Sequence, residues 1–380
     1  MRIALVHDWL TGMRGGERVV DVIARNYPDA ELFTLFHQPG STTAAIENLE
    51  IHASPLNRFP GSERHYRKLL PLYPWAANRL RVENFDLVLS ISHAVAKNVR
   101  TEIGIPHLCY CLTPMRYIWD QIDAYLGRGA RRMLAAPLVT ALRRYDVAHS
   151  GPEHIDRFVA ISSTVSERIQ NHYGRNSTII HPPVDTERIR PDGRAPDDFF
   201  LLVGGFVPYK REEIVIEAFR RRHDRLVIVG DGPTRQRLEA RAPANVEFTG
   251  RITDAEILQR LQRCRALIYP QVEDFGITAV EAQAAGRPVI AHGAGGSLDT
   301  VRPLFSASED GSLAWLEEGS PSGAYFNGQN PEALGVALDA FAKYAHRFEV
   351  SCIRENAERF GEARFVAELA AEIDALVGRR

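Results

Sequence analysis

The chain has 380 residues with a formal net charge of -2, and 45% of its residues are hydrophobic. This length is natural for two domains, and the near-neutral charge excludes the strongly basic character of a general nucleic-acid binder. The four cysteines provide neither a disulfide framework nor a C-x-x-C zinc motif. Because no run of 18 apolar residues occurs and the start of the chain lacks a signal-peptide pattern, we expect a cytoplasmic protein. It would be soluble or attached peripherally to the inner face of the cytoplasmic membrane.

Short apolar runs alternate with helical patterns along the chain, which predicts parallel βαβ units. The first series of predicted strands comprises residues 2–6, 32–36, 87–90, 107–111, 157–161 and 178–181, and the second comprises residues 199–204, 226–230, 246–249, 266–269 and 288–291. The segment 181–198 is rich in Pro and charge and is predicted to link the two series. We therefore predict an α/β protein of two Rossmann-like domains, 1–183 and 184–361, facing each other across a cleft. Residues 301–323 lack periodicity and are interpreted as a surface insertion.

The loop after the first predicted strand contains Gly12, Gly15 and Gly16 and precedes a helix that we expect to open at Glu17. Glycines let backbone amides approach an oxyanion closely, and a helix N-terminus adds a favourable partial charge. An anion site and an ordinary tight turn are both consistent with this loop.

Two further loops of the second series carry groups suited to a nucleotide. Lys210 and Arg211 lie between the strand 199–204 and the helical pattern EEIVIEAF, at the sheet edge where a diphosphate would bind. There they would stabilise a leaving nucleoside diphosphate, although a solvated cation pair is the alternative. In the loop after 246–249, Gly250 permits close approach, and Ile252 can offer backbone groups to the base edge.

The segment 273–287, EDFGITAVEAQAAGR, places two carboxylates eight positions apart around a loop that opens a helix. Glu273 can accept hydrogen bonds from a sugar hydroxyl, and Glu281, two turns into the helix, can accept from both hydroxyls of a ribose. The amides of Phe275, Gly276 and Ile277 supply donors at the helix N-terminus. A helix cap and a solvated surface residue are the alternative interpretation of the two glutamates.

Six motifs together carry a family resemblance. They are RIALVHDWLTGMRGGERVV, SISHAVAKNV, CYCLTPMRYIWD, RFVAISSTVSERI, VGGFVPYKREEIVIEAF and the E-x7-E segment followed by GRPVIA. In order and spacing they resemble the retaining glycosyltransferases of family 4, which have the GT-B fold. The resemblance implies that Gly15 and Gly16 contact the donor diphosphate or the reacting sugar across the cleft. It also implies that residues 362–380 form a helix returning to the first domain.

The same resemblance assigns His93 to the donor sugar, where its ring or backbone carbonyl would stabilise a developing oxocarbenium ion. Arg116 and Tyr117 are candidates for acceptor binding, and a structural role in their loop is the alternative. The chain departs from the family pattern twice. Gly205 stands where an Arg is usual five residues before Lys210, and Leu112 stands where relatives have a His. One half of the expected phosphate clamp is thus missing, with Arg211 as the proposed substitute.

No D-x-D pair and no clustered metal-ligand spacing occurs in the sequence, so we expect a reaction that needs no metal or other cofactor. Residues 1–190 hold 23 Lys+Arg against 19 Asp+Glu, a balance of +4, and the remainder holds 23 against 29, a balance of -6. Two stretches of the basic half, 56–81 and 126–144, mix cations with aromatic and aliphatic residues. They fit a surface attracted to anionic lipid, or two ordinary helices with apolar faces in the core.

These observations predict an α-retaining glycosyltransferase that moves a hexose from a nucleoside diphosphate sugar to a glycan or lipid-linked glycan. Motif similarity to bacterial mannosyltransferases of surface-polysaccharide assembly makes GDP-mannose the preferred donor, and no nucleic-acid partner is expected. Two alternatives fit the same fold. One is a non-catalytic scaffold that binds sugar nucleotide or glycan, motivated by Gly205 and Leu112, and the other is a nucleotide-sugar epimerase.

Overall fold

The structure, a computed structural model, describes residues 1–59, 61, 66–120, 122, 129–316 and 319–378. The chain divides into two compact units, one formed by Met1–Pro183 with Ala363–Arg380 and the other by Val184–Glu362. Each unit contains its own largely parallel sheet, as the alternating strand and helix patterns predict.

The first unit is built on a seven-stranded parallel sheet in the order β3-β2-β1-β5-β7-β8-β9, and β4 and β6 pair separately. Its strands are β1 (Ile3–Leu10), β2 (Glu31–His37), β3 (Glu50–Ala53), β4 (Arg81–Val82), β5 (Leu87–Ser92), β6 (Arg100–Thr101), β7 (His107–Cys111), β8 (Arg157–Ala160) and β9 (Ser177–Ile179). The central strands β1, β5 and β7 are buried along their whole length. Such continuous burial is characteristic of a parallel sheet covered on both faces.

The helices of the described residues in this unit are α1 (Gly15–Asn26), α2 (Ala44–Glu47), α3 (Tyr73–Ala77), α4 (Ala130–Ala148), α5 (Ser163–Tyr173) and α13 (Glu362–Val377), with 3-10 turns at Pro55–Arg58, Tyr66–Leu72 and Ala96–Asn98. The last of them, α13, packs against this sheet. Phe365 meets the ring of Tyr110 edge-on at 5.6 Å, and Glu372 pairs with Arg157. The C-terminal helix therefore belongs to the unit that begins the chain.

A buried polar network fixes α4 and α5 to the first sheet. Lys97 is buried, and its Nζ lies 2.6 Å from Asp146 Oδ1 and 3.0 Å from Ser150 Oγ. The second oxygen of Asp146 accepts hydrogen bonds from Trp119 Nε1 at 2.9 Å and Tyr173 Oη at 2.8 Å. Because both charges are buried and saturated with partners, removal of either one leaves the other uncompensated.

The second unit is built on an eight-stranded sheet in the order β12-β11-β10-β13-β14-β17-β15-β16. Its strands are β10 (Phe200–Val203), β11 (Leu226–Val229), β12 (Val246–Gly250), β13 (Leu267–Tyr269), β14 (Val289–His292), β15 (Pro303–Ala307), β16 (Leu313–Trp315) and β17 (Gly323–Phe326). Only β16 runs antiparallel among the described pairs. The prediction of a surface insertion over 301–323 is wrong, because β15 and β16 extend the sheet there.

The described helices of this unit are α6 (Glu212–Phe219), α7 (Arg235–Glu239), α8 (Asp254–Arg263), α9 (Ile277–Ala284), α10 (Ser297–Thr300), α11 (Pro331–Tyr344) and α12 (Val350–Glu358), with 3-10 turns at Pro208–Lys210 and Ala345–Arg347. The inner faces of α6 and α11 bury apolar side chains against β10, β11 and β15 in one core cluster. The parallel strands end along one edge of this sheet, and their loops carry the predicted donor residues.

Candidate active site

Lys210 and Glu273 meet at the carboxyl edge of the second sheet. They follow β10 and β13, which are adjacent strands although 63 positions separate the two residues in the sequence. Lys210 Nζ lies 3.2 Å from Glu273 Oε1, and each side chain keeps 21% of its surface exposed. The structure thus joins the predicted phosphate-binding cation to the predicted sugar-binding carboxylate in one ion pair.

The ammonium group of Lys210 is held in its charged form. Burial by itself lowers the pKa of Lys210, but the Glu273 carboxylate, aided by Tyr209 and Glu212, outweighs that effect and raises it. A cation kept charged in a partly buried site interacts strongly with an anionic ligand, because less water screens it. A diphosphate would therefore compete with Glu273 for this ammonium.

Close backbone packing holds the Glu273 loop in place. The amide of Gly296 donates to the carbonyl of Glu273 at 2.8 Å. A Cβ added at Gly295 would lie 2.6 Å from that carbonyl oxygen, and one added at Gly296 would lie 2.3 Å from Phe275 Cα. Sequence reasoning missed this second loop, although its run GAGGS after β14 is a visible signal of close backbone approach.

Helix α9 begins at Ile277, after Gly276 in the left-handed region with a φ of 96°. Phe275 is buried and meets the ring of Phe360 at 5.5 Å, so only its backbone is suited to a ligand contact. Glu281 is the fifth residue of the helix and is half-buried. Glu281 thus lies in the second turn of the helix, close to its predicted position, and the predicted helix N-terminus at Phe275–Ile277 agrees with this start.

The other two predicted donor residues lie on separate loops of the same edge. Ile252 is half-buried and stands directly before Thr253, whose side chain caps α8. Arg211 is 47% exposed at its side chain, and its Nη1 lies 3.6 Å from Glu213 Oε1. The structure therefore places the Arg211 guanidinium at a carboxylate of its own helix.

The backbone at position 205 does not require a glycine. The backbone of Gly205 is not in the left-handed region, and a Cβ there would meet the carbonyl oxygen of Asp231 at an ordinary 3.8 Å. Gly230 is the glycine that the turn requires, since its φ is 138° and an added Cβ would lie 1.7 Å from the Gly204 oxygen. Position 205 therefore has space for a side chain.

Arg211 itself occupies the left-handed region, with a φ of 60° and a ψ of 31°. That conformation costs an L-residue roughly 1–2 kcal/mol, whereas glycine adopts it freely. We expect Arg211→Gly to raise the free energy of unfolding by about 1 kcal/mol. Denaturant titration is the measurement, and Arg211→Ala is the control because it removes the side chain but keeps the strain. Equal stabilities of the two variants would contradict this explanation.

Glu212, the first residue of α6, is a buried carboxylate two positions after Lys210 in the sequence. Burial raises the pKa of Glu212 to about 7, because its effect exceeds the opposite effects of nearby backbone amides and Lys210. Neither carboxylate oxygen makes a well-aligned hydrogen bond within the described part of the chain. Ionisation of this group at neutral pH therefore destabilises the folded state.

The pH dependence of stability follows from that shift. A raised carboxyl pKa means that the folded state holds the proton more tightly, so wild-type stability falls as pH rises from 4.5 to about 7. We expect Glu212→Gln to stabilise the protein by about 3 kcal/mol at pH 8 and by much less at pH 4.5. Unfolding curves at both pH values measure this, with the exposed Glu355→Gln as the control. A pH-independent difference would refute the assignment.

In the first unit, Asp8 anchors the loop that carries His93. Asp8 is fully buried in β1, and its carboxylate accepts the backbone amides of His93, Ala94, Val95 and Ala96 at 2.7–2.9 Å. Its Oδ2 also lies 3.2 Å from His93 Nδ1. Sequence reasoning missed Asp8, although an acid inside a largely apolar strand is a signal of a specific partner.

His93 directly follows β5 at the carboxyl edge of the first sheet and is largely surrounded by other side chains. Its ring meets that of Trp9 edge-on at 4.2 Å and lies 5.6 Å from that of His7. Burial lowers the pKa of His93 to about 4, an effect that Asp8 opposes and that Arg116 and other nearby positive groups reinforce. The imidazole is therefore neutral at pH 7.

The glycine-rich loop lies at the same edge as His93. Helix α1 begins at Gly15, so the expected start at Glu17 is wrong and both predicted glycines form the first turn. A Cβ added at Gly16 would lie 2.9 Å from Leu112 Cδ1 and 3.2 Å from His7 Cε1. Leu112, the residue that departs from the family pattern, therefore packs against the predicted donor loop.

Arg116 and Tyr117 follow β7 and are half-buried. The charge of Arg116 acts on His93. Burial raises the pKa of Asp120, but His172 and Arg168, aided by Arg116, outweigh that effect and lower it. Tyr117 lines an apolar cavity instead. The two candidates for acceptor binding thus face different chemical surroundings.

One group of metal-ligating side chains occurs among the described residues, comprising Glu31, Glu50 and His52. The pairing of β2 with β3 brings them together at the amino ends of these strands, away from the loops of the candidate site. Arg2 already pairs with Glu31 at 3.0 Å. The group therefore offers nothing to the chemistry at the carboxyl edge.

Residues 13–188 match the family described as Glycosyltransferase Family 4, and residues 185–314 match the one described as Glycosyl transferases group 1. Together the two matches span residues 13–314, and both families are glycosyltransferases. The chain is similar to two curated relatives. It is 39% identical over 101 residues to the O-antigen chain mannosyltransferase C of Escherichia coli, covering 25% of this chain and 27% of the relative. It is 35% identical over 162 residues to a GDP-mannose-dependent alpha-mannosyltransferase of Mycolicibacterium smegmatis, covering 39% and 42%.

The alignments thus span less than half of each of these relatives. Among solved structures, Anabaena HepE in complex with UDP superposes on this chain with a TM-score of 0.70 at 16% identity, covering 99% of this chain and 100% of that one. Such a likeness concerns the fold alone, and it confirms the predicted GT-B fold. None of the described helices is both long and apolar enough to cross a membrane.

Proposed function

We propose that this glycosyltransferase is an α-retaining hexosyltransferase that moves mannose from GDP-mannose to a hydroxyl of a glycan or lipid-linked glycan. The observation that carries the proposal is the 3.2 Å ion pair between Lys210 and Glu273. One partner suits a diphosphate, the other suits sugar hydroxyls, and both lie at the sheet edge where α/β proteins bind nucleotides. The mannosyltransferase relatives support the choice of sugar.

In this proposal the donor diphosphate takes Lys210 as its counter-ion and releases Glu273 to accept hydrogen bonds from the hexose. The bond from the sugar C1 to the diphosphate oxygen breaks while the acceptor oxygen bonds to C1 from the same face. The acceptor proton passes to the departing phosphate oxygen, which leaves a glycoside and a nucleoside diphosphate. Lys210 and the amides of Phe275, Gly276 and Ile277 stabilise the negative charge that develops on the leaving group.

The first unit supplies the remaining roles. A neutral His93 with a pKa of about 4 cannot act as an acid at pH 7, so its ring and backbone carbonyl are proposed to stabilise the oxocarbenium-like sugar. Gly15 and Gly16 are proposed to contact the donor, and Arg116 and Tyr117 the acceptor. Glu281 and Ile252 are proposed to bind the ribose and the base.

We further propose that the transfer needs no divalent metal, because Lys210 supplies positive charge where a metal ion would otherwise bind the diphosphate. Excess EDTA should then leave the initial rate of donor consumption unchanged. A rate abolished by EDTA and restored by Mg²⁺ or Mn²⁺ would refute this part of the proposal.

A peripheral membrane contact through 56–81 and 126–144 stays a proposal as well. Residues 60, 62–65 and 126–128 of these stretches lie outside the described residues. Within the described part, Met133 and Leu134 on α4 are 75% and 81% exposed, and Arg132 and Arg144 are also exposed. Exposed apolar and cationic side chains on one helix favour an anionic lipid surface.

A thermal-shift panel of GDP, UDP and ADP sugars tests the donor, because a ligand at about 100 times its Kd adds about 2.7 kcal/mol of stability. GDP-mannose should give the largest shift and should be consumed when an acceptor-containing membrane extract is added. A shift with a uridine or adenosine donor that exceeds that of GDP-mannose would overturn the donor assignment. A bound donor that is never consumed would favour the scaffold, and a new epimer would favour the epimerase.

A further inference from the structure

An apolar cavity of about 240 Å³ lies beneath α4 in the first unit. Ala135, Leu138 and Leu142 line it from the helix, and their spacing of three and four residues places them on one face. Trp9 and Tyr73 form part of the opposite wall. Since apolar cavities of roughly 150 Å³ stay free of water and take up a benzene ring, this one has room for a hydrocarbon ligand.

The cavity is continuous with exposed apolar side chains at the protein surface. Leu138 both lines it and is 43% exposed, and Leu134, one turn earlier on the same face, is 81% exposed. Leu72, which follows the lining residue Pro71, is 44% exposed. Large apolar side chains that remain this exposed beside a cavity indicate a surface that a partner covers.

The same cavity adjoins the reaction centre proposed for the first unit. The Trp9 ring separates the cavity from His93 and contacts the His93 ring at 4.2 Å. Tyr117 lines the cavity, and the preceding residue, Arg116, acts electrostatically on His93. A molecule in the cavity is therefore one side chain away from His93, a position that suits part of the acceptor.

The exposed surface of the helix above the cavity carries cations that favour an anionic ligand. Arg132 and Arg144 are exposed on α4, and the acidic residue of that helix, Asp146, is buried and paired with Lys97. The exposed surface of α4 thus presents cations without acids among its described side chains. Such a surface attracts anionic lipid head groups, and each cation raises the binding affinity by about tenfold or less.

We propose that this cavity binds the hydrocarbon chain of a lipid-linked acceptor, with the phosphate group of that lipid directed toward Arg116. The inference rests on the proposed function and narrows its acceptor to the lipid-linked class. A free glycan does not fit the cavity, because its hydroxyls would be buried there without hydrogen-bond partners.

Calorimetric titration of the full chain with dodecyl phosphate, below its micelle concentration, tests the proposal. Butyl phosphate has the same head group and a shorter chain, so it reports the head group alone. Each buried methylene raises affinity roughly fourfold, and we expect dodecyl phosphate to bind at least about 100-fold more tightly. Ala135→Trp, which fills the cavity, should lower the dodecyl phosphate affinity at least about tenfold. Ala136→Trp, on the exposed neighbouring residue, should not change it.

A second pair of variants keeps the test decisive if Ala135→Trp does not fold. Leu138→Glu places a carboxylate at the partly exposed mouth and should weaken dodecyl phosphate binding about tenfold or more. Thr140→Glu adds the same charge at an exposed position of α4 and should have little effect. Equal affinities for dodecyl phosphate and butyl phosphate would overturn the proposal. Dodecyl phosphate binding that neither Ala135→Trp nor Leu138→Glu weakens would also overturn it.

Binding to anionic phosphatidylglycerol vesicles distinguishes a ligand bound in the cavity from adsorption of the protein to a membrane surface. If the surface of α4 alone binds the vesicles, wild type and Ala135→Trp should bind them equally well. Equal vesicle binding, together with the lack of a saturable dodecyl phosphate site, would overturn the proposal. Consumption of the sugar donor is followed in parallel samples of the same variants to which the acceptor-containing membrane extract is added. Lost dodecyl phosphate binding with normal donor consumption refutes the cavity assignment alone, whereas dodecyl phosphate binding without donor consumption refutes the proposed function alone.

Discussion

Lys210→Ala should lower kcat/KM for the sugar donor by roughly two to three orders of magnitude, the range observed when a preorganised charge-stabilising group is removed. The physical reason is that Lys210 is the cation at the carboxyl edge whose charge Glu273 maintains. Without it, the departing diphosphate loses its counter-ion in the transition state, and Glu273 loses its partner in the free enzyme. Steady-state kinetics over a range of donor concentrations measure the effect.

Two matched variants complete this experiment. Lys343→Ala removes an exposed lysine from α11 in the same unit and should leave kcat/KM unchanged. Lys210→Arg keeps a cation and should recover part of the lost rate, since charge without the original geometry is only partly effective. Circular dichroism verifies folding. A folded Lys210→Ala enzyme with wild-type kcat/KM would refute the role of Lys210 in binding the diphosphate.

Lys97→Met should reduce the free energy of unfolding of the first unit by about 3–5 kcal/mol, because it leaves Asp146 buried without a counter-charge. Three hydrogen-bond donors now surround that carboxylate, and the ammonium of Lys97 is the closest at 2.6 Å. Denaturant unfolding followed by tryptophan fluorescence suits the measurement, because Trp119 belongs to the network.

Arg100→Met is the control, since it also replaces a cation by methionine but at an exposed position three residues away. We expect its effect to stay within about 0.5 kcal/mol. In the double variant with Asp146→Asn, the losses should be less than additive, because the two single changes disrupt one pair. Equal effects of Lys97→Met and Arg100→Met would contradict the structural role of Lys97.

Continuous apolar runs predicted most of the buried strands, although the buried strand β17 was missed. The predicted strand 107–111 has the bounds of β7, and the second series of runs corresponds to β10 through β14 within one or two residues. Strand β3, EIHA, was missed because it is a polar edge strand that pairs only with β2. Strands β15 and β16 were missed because acidic turn residues interrupt their short apolar runs.

The candidate site could be predicted only in part, because its residues come from strands distant in the sequence. The Gly-rich loops and the E-x7-E spacing indicated the loops that line the sheet edge, and the structure places Lys210 beside Glu273 there. The sequence did not indicate that Arg211 adopts a positive φ, nor did it indicate which groups Asp8 would bind, since the amides that it accepts lie 85 to 88 positions away. Such contacts depend on the three-dimensional neighbourhood and have no local pattern.

Real-time proton NMR of GDP-mannose incubated with the wild-type enzyme tests the proposed retaining transfer most directly. Turnover of the donor to water, or to an added acceptor, forms a new bond at C1 whose configuration the anomeric signal reports. We expect GDP and the α-anomer to appear first, with the β-anomer of any free mannose growing only through later mutarotation. First appearance of the β-anomer would contradict retention, and a donor that binds but stays intact would contradict the assignment of this chain as a transferase.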